Sequence, residues 1–109
     1  MTEVEINAGI CGFTTNVRSE NKGSYKAVVH IESECPNWRK FNELMGGEEI
    51  DVMKELFNNK QSNTTNSQVI DLALKTIPHV SCPVVSGVLK ALKVSTGLAL
   101  AKNATIIFK

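Results

Sequence analysis

The sequence lacks the features of secreted, membrane-spanning and nucleic-acid-binding proteins. Residues 1–5 contain neither a basic segment nor an apolar core, so no secretory signal is predicted there. No apolar run reaches the roughly 18 residues that a membrane helix needs. A net charge of +1, from 12 basic and 11 acidic residues, leaves no basic excess for nucleic acid or an anionic membrane. These absences predict a cytoplasmic protein that binds neither nucleic acid nor membranes.

Familiar catalytic motifs are missing as well. The glycines at Gly46-Gly47 and at Gly9 and Gly12 lack the strand–loop–helix context and the following lysine of a phosphate-binding loop. The three cysteines do not have the Cys-x-x-Cys spacing of thioredoxin-type proteins. Because their number is odd and no signal peptide is predicted, they do not indicate a disulfide framework. The sequence therefore leaves open whether the protein is an enzyme.

The patterns that are present predict a single α+β domain over residues 1–109. A length of 109 residues suits one hydrophobic core, and strand patterns precede helical ones. We expect a two-layer fold in which an antiparallel sheet of about four strands carries about four helices on one face. Strands are predicted near 3–8, 13–19, 25–33 and 104–108, the last lying beside the first. Helices are predicted from Cys35-Pro36 to Gly46-Gly47 and over 48–57, 67–76 and 83–95, with a polar loop at 58–66.

The central hairpin has a predicted register that depends on its turn. A three-residue loop at Asn21-Lys22-Gly23, with Gly23 in the left-handed conformation, gathers the apolar residues on one face. The resulting pairs are Phe13–Ile31, Thr15–Val29 and Val17–Ala27. This register also places Cys11 opposite Ser33, two residues from Cys35. We therefore predict that these two thiols lie near each other at one end of the sheet.

Two cysteines stand directly before a proline at a predicted helix start, Cys35-Pro36 and Cys82-Pro83. This order is typical of a helix N-cap followed by proline at the first helical position, where the helix dipole favours a thiolate. If both helices begin at the end of the sheet that carries Cys11, the three thiols meet. Zinc takes four ligands, and His79 would complete a Cys₃His set. Three cysteines alone could hold an iron–sulfur cluster with one open iron.

Other interpretations of these cysteines remain open. Free cysteine is often simply buried in a core, so the thiols could be structural parts of a non-enzymatic interaction module that forms a homo-oligomer. Thiol–disulfide chemistry is another possibility, with Cys82 as the better nucleophile because Glu32 and Glu34 flank Cys35. A hydrolase built on Cys82 and His79 lacks an identifiable third residue.

Several short segments resemble a family of small bacterial and archaeal proteins whose function is uncharacterised. They are the stretch AGICGFT at 8–14, Glu34-Cys35-Pro36, Ser81-Cys82-Pro83, LKA at 89–91 and GLAL at 97–100. The resemblance covers nearly the whole chain. It implies a stand-alone cytoplasmic domain of unknown function and brings no activity, cofactor or catalytic residue with it.

Overall fold

The computed structural model describes residues 1–59, 64–79 and 81–109, which form one four-stranded sheet, a two-stranded ladder and four helices. Residues 60–63 of the predicted polar loop lie outside the described residues, as does residue 80. The elements in chain order are β1 (Thr2–Asn7), β2 (Thr14–Gly23), β3 (Lys26–Ser33), α1 (Pro36–Met45), β4 (Ile50–Asp51), α2 (Val52–Leu56), β5 (Asn58–Asn59), β6 (Thr64–Thr65), α3 (Gln68–Thr76) and α4 (Val84–Ser95).

The main sheet is antiparallel, in the order β1-β2-β3-β4, and its two faces differ sharply. Alternate residues of β2 and β3 are buried beneath the helices, whereas those between them are exposed or only half-buried. The buried set is Thr15, Val17, Ser19, Ala27, Val29 and Ile31. Trp38 and Phe41 of α1 and Val88 and Leu92 of α4 belong to the same core. The α+β fold class, with helices on one face of a four-stranded antiparallel sheet, is therefore confirmed.

The β2–β3 register differs from the prediction by four residues. Val17 lies opposite Ile31 and Thr15 opposite Ser33, so the predicted partners were wrong. The strands continue through the expected loop, and the chain turns at Ser24 and Tyr25, both with positive φ (55° and 59°), as a two-residue hairpin loop requires. Extending the strands adds ladder hydrogen bonds that a three-residue loop would lose. Because the offset is even, the predicted inner face remains the buried one.

The fourth strand is not the one predicted. Residues 101–109 form no strand and are exposed, whereas β4 pairs with β3 at the opposite edge of the sheet. The predicted helix at 48–57 is also shorter than expected, because β4 occupies Ile50–Asp51. The Asp51 carboxylate accepts hydrogen bonds from the backbone N–H groups of Met53 and Lys54 and so begins α2 at Val52.

Two contacts fix how α4 lies on the sheet. Near its start, Gly87 packs so closely on Ile6 of β1 that there is no space for a Cβ. At its end, the hydroxyl oxygens of Ser95 and Ser19 lie 2.7 Å apart and share a hydrogen bond. Ile6 is opposite Thr15 and Ser19 is opposite Thr2, so α4 runs in the same direction as β2. Its N-terminus therefore lies over the end of the sheet where β2 begins.

Candidate functional site

The candidate site is the end of the sheet at which β1 ends, β2 begins and β3 ends, hereafter the cysteine end (Asn7, Thr14 and Ser33). Cys11 lies in the turn between β1 and β2. The Ala8 N–H donates to the Phe13 carbonyl (3.3 Å) and the Gly12 N–H donates to the Gly9 carbonyl (2.9 Å). Gly9 and Gly12 both have positive φ, which lets the chain reverse tightly. The turn leaves the Cys11 thiol exposed to solvent.

Cys35 follows β3 and is the N-cap of α1, as predicted, with Pro36 at the first helical position. Its N–H donates to the Ser33 hydroxyl (3.1 Å), and this hydroxyl also shares a hydrogen bond with that of Thr15 (2.8 Å). Arg39 reinforces the turn, because its Nε donates to the Ser33 carbonyl at 2.8 Å. The backbone of Cys35 is thus fixed, while its thiol caps no N–H group and packs, half-buried, against the core.

Cys82 lies one residue farther from its helix than predicted. The N-cap of α4 is Pro83, whose backbone is already helical (φ −69°, ψ −10°) and whose carbonyl accepts a hydrogen bond from the Gly87 N–H (3.1 Å). The expectation that Cys82 is the N-cap was therefore wrong by one position. The Cys82 side chain is half-buried and packs against the core. Since α4 begins over the cysteine end, Cys82 belongs to this end of the fold.

The two histidines differ in position. His79 is exposed in the connection between α3 and α4, three residues before Cys82. His30 lies on the outer face of β3, opposite Arg18, and its Nε2 is 3.8 Å from a carboxylate oxygen of Glu32. Because His30 lies on the face of the sheet away from the helices that carry Cys35 and Cys82, it serves as a control histidine.

The structure therefore brings the three cysteines to one end of the sheet without assembling them into a binding site. Among the residues described, no group of three or more His, Cys, Asp or Glu side chains is arranged to hold a metal ion. Cys35 and Cys82 are held against the core from two different helix starts, whereas Cys11 is on the surface. Two thiols, those of Cys35 and Cys82, therefore pack against the core, and the third, that of Cys11, lies on a turn between Gly9 and Gly12.

Sequence reasoning missed a polar depression on the outer face of the cysteine end. It has a volume of about 440 Å³ and is open to solvent. Its lining comes from the start of β2 and the end of β3: Gly12, Thr14, Asn16, Glu32, Ser33 and Glu34. The correct hairpin register would have indicated it, because that register places Asn16 opposite Glu32. The depression adjoins the residues that follow Cys11 and precede Cys35.

A family model matches residues 2–108, and the family, DUF6951, is one of unknown function. The chain belongs to this family. Membership of DUF6951 confirms the predicted resemblance to a family without a known function that spans nearly the whole chain. No curated protein and no solved structure matches the sequence significantly. In the described part of this DUF6951 protein, no helix is both long and apolar enough to traverse a bilayer.

Proposed function

We propose that this protein binds a zinc ion or an iron–sulfur cluster through Cys11, Cys35 and Cys82, with His79 as the fourth ligand of a zinc ion. The observation that carries the proposal is the direction of α4. Gly87 against Ile6 and Ser95 against Ser19 orient the helix so that Cys82 lies at the end of the sheet shared with Cys11 and Cys35.

The local structures suit thiolate ligands. A thiolate–metal centre carries negative charge, and here it would lie at the N-terminal ends of α1 and α4, where the helix dipoles stabilise such charge. The core beneath Cys35 and Cys82 would shield one side of the centre from water. The hydrogen bonds of Ser33 fix the backbone from which the Cys35 thiol projects.

Binding requires the Cys11 turn to close over the other two thiols. Zinc–sulfur bonds are about 2.3 Å long, so all three sulfur atoms must converge on one point. Structural zinc contributes roughly 10–16 kcal/mol in small domains, far more than rearranging one surface turn costs. Ordering of residues 8–13 on metal addition, followed by hydrogen exchange, is therefore expected.

Anaerobic purification followed by metal analysis and visible spectroscopy tests the proposal. We expect close to one zinc ion or one coloured cluster per chain, and a loss of metal in each of the Cys11→Ser, Cys35→Ser and Cys82→Ser variants. His79→Ala separates the two kinds of centre, because it should weaken zinc binding but leave a three-cysteine cluster in place. His30→Ala is the matched control and should have no effect in either case.

A thiol–disulfide protein is the second candidate, and the different exposures of the cysteines favour considering it. Cys11 is the exposed thiol, whereas Cys35 and Cys82 are half-buried. Redox function predicts that one thiol is alkylated at neutral pH much faster than free cysteine and forms a reversible disulfide with another. Equal, slow labelling of all three would exclude it.

Protein that is colourless, metal-free and unable to take up zinc or a reconstituted cluster would exclude the metal function.

A further inference from the structure

Residues 101–109 form an exposed apolar segment with the composition of a β-strand. Ile106, Ile107 and Phe108 are 81%, 72% and 96% exposed, and no residue of the segment is buried. β-branched and aromatic residues of this kind favour a pleated, half-buried environment. A run of three large apolar side chains in water marks an interaction site more often than a free surface.

The sheet offers this segment an open edge. β3 is covered on its outer side by β4 and, farther along, by the Asn42 side chain, whose Oδ1 accepts from the Ile31 N–H at 2.8 Å. β1 is different, because β2 is its only partner among the described strands. The Ala8 N–H donates to the Phe13 carbonyl, so by the alternation of an antiparallel ladder the backbone groups of Glu3 and Glu5 point away from β2.

Apolar surface is also incompletely covered beside this edge. Val4 and Ile6 face the core but are only half-buried, as is Leu89 of the neighbouring helix α4. A further strand next to β1 would cover their flank. Alternate residues of the segment, such as Ile106 and Phe108, would contribute side chains to the same face as Val4 and Ile6.

The charges of the edge and the segment are complementary. Glu3 and Glu5 are exposed on β1, and β1 contains no basic residue. The segment contains Lys102 and Lys109 and no acidic residue. Opposite charges on neighbouring strands stabilise the pair, and like charges disfavour it.

From these observations we infer that residues 101–109 of one copy add a strand to the β1 edge of a second copy. The direction of α4 favours pairing of the segment with β1 of a second copy over pairing with β1 of its own chain. Ser95 lies at the level of Ser19 and Thr2, so a segment returning directly along its own β1 would run parallel to it. A segment from another copy is free to pair in the antiparallel direction, which is the more stable arrangement per residue. Reciprocal exchange gives a closed, two-fold symmetric dimer.

Sedimentation equilibrium and concentration-dependent hydrogen exchange of the full chain test this inference. We expect a mass of twice the 11.9 kDa of one chain, and protection of the amides of residues 104–108 that increases with protein concentration. The Ile106→Asp/Phe108→Asp variant should have the mass of one chain. Its circular dichroism spectrum should still be that of a folded chain, because the segment adds nothing to the core of its own chain, and should lose only the small contribution of the added strand.

Charge reversal provides the specific control. Glu3→Lys/Glu5→Lys should weaken self-association several-fold, because the β1 edge then carries the same sign of charge as the lysines of the segment. Adding Lys102→Glu/Lys109→Glu to the same chain should restore it. Glu43→Lys/Glu48→Lys changes two exposed acids away from the edge and should have no effect.

Three results would overturn the inference. One is a single-chain mass with an unprotected segment at all concentrations. Another is a single-chain mass with a segment protected at every concentration, which indicates pairing within the chain. The third is a dimer that persists in the Ile106→Asp/Phe108→Asp variant, which requires another interface.

Discussion

Replacing Gly87 by alanine tests the contact that sets α4 on the sheet. A Cβ at this position would lie 2.5 Å from Ile6 Cδ1 and 2.6 Å from Ile6 Cγ1, whereas carbon atoms in contact are normally about 3.5–4.0 Å apart. Rotation of the Ile6 side chain about χ2 moves Cδ1 but not Cγ1. Moving Cγ1 requires a change in χ1, which is stiff in β-branched residues. Either β1 or α4 must therefore shift.

Two opposing terms decide the size of the effect. Alanine in a helix interior is favoured over glycine by about 1 kcal/mol. Overpacking costs about 1–3 kcal/mol, and we expect the upper part of this range because two carbon atoms are displaced. The net loss of stability is therefore about 1–2 kcal/mol, or a decrease of roughly 5–10 °C in Tm. Urea unfolding can be followed by the fluorescence of Trp38, the only tryptophan, which is 1% exposed.

The same substitution in an Ile6→Ala background provides the decisive comparison. Only the Ile6 Cβ then remains, 3.9 Å from the new methyl group, which is an ordinary contact. The helix-propensity term is left alone, so Gly87→Ala should now stabilise the protein by about 1 kcal/mol. Ser86→Ala, at the exposed neighbouring position, should change stability by ~0.5 kcal/mol or less in both backgrounds. An equal loss with and without the Ile6 side chain would refute the steric explanation.

Three further substitutions test polar contacts that support the fold. Glu55 is buried, and its carboxylate accepts three hydrogen bonds at the start of α3 (2.5, 2.7 and 3.1 Å). Glu55→Gln should therefore lower the free energy of unfolding, measured in urea, by about 2–3 kcal/mol. The control substitution Glu43→Gln, at an exposed position, should leave the free energy of unfolding almost unchanged. Asn42→Ala leaves a backbone N–H of β3 without its acceptor and should cost about 1 kcal/mol, which fraying of β3 in hydrogen exchange would confirm. Ser33→Ala removes the acceptor of the Cys35 N–H, so that amide should exchange at least about fivefold faster, and an unchanged rate would contradict the assigned contact.

Local signals in the sequence were sufficient where the physical cause is itself local. Pro36 and Gly46 bound α1 as predicted, because proline suits the first turn and Gly46 adopts the left-handed conformation that ends the helix. The buried face of the hairpin was also predictable from alternation. Its register was not, since Ser24 and Tyr25 are unusual residues for a turn with two positive φ values and gave no turn signal. The hydrogen bonds between β2 and β3 determine where the chain turns, and they join residues that are far apart in the sequence, such as Thr15 and Ser33.

The position of Cys82 shows the same limit for the candidate site. The Cys-Pro pairs predicted two thiols at helix starts, but the level at which α4 lies on the sheet depends on Gly87 meeting Ile6, a contact between residues 81 positions apart. The hydrophobic periodicity of a helix does not predict such a contact. The need for glycine at position 87 is evident only once Ile6 is seen to pack against it. A turn signal near residue 87 would have been an equally reasonable interpretation of that glycine.

The segment at 101–109 shows how a strand-like composition can predict a strand that the structure does not contain. β-branched and aromatic content favours a strand there, and the open edge of β1 is where such a strand would be placed. Neither the composition of the segment nor the open edge specifies whether the β1 that it pairs with belongs to the same chain or to another. The backbone hydrogen bonds between the two strands are the same in both cases. The direction of α4 favours the second copy, because the direct return of the segment along β1 of its own chain is parallel. The strand predicted at 104–108 is therefore wrong for the single chain, and the proposed exchange between two copies is the arrangement in which its composition would be used.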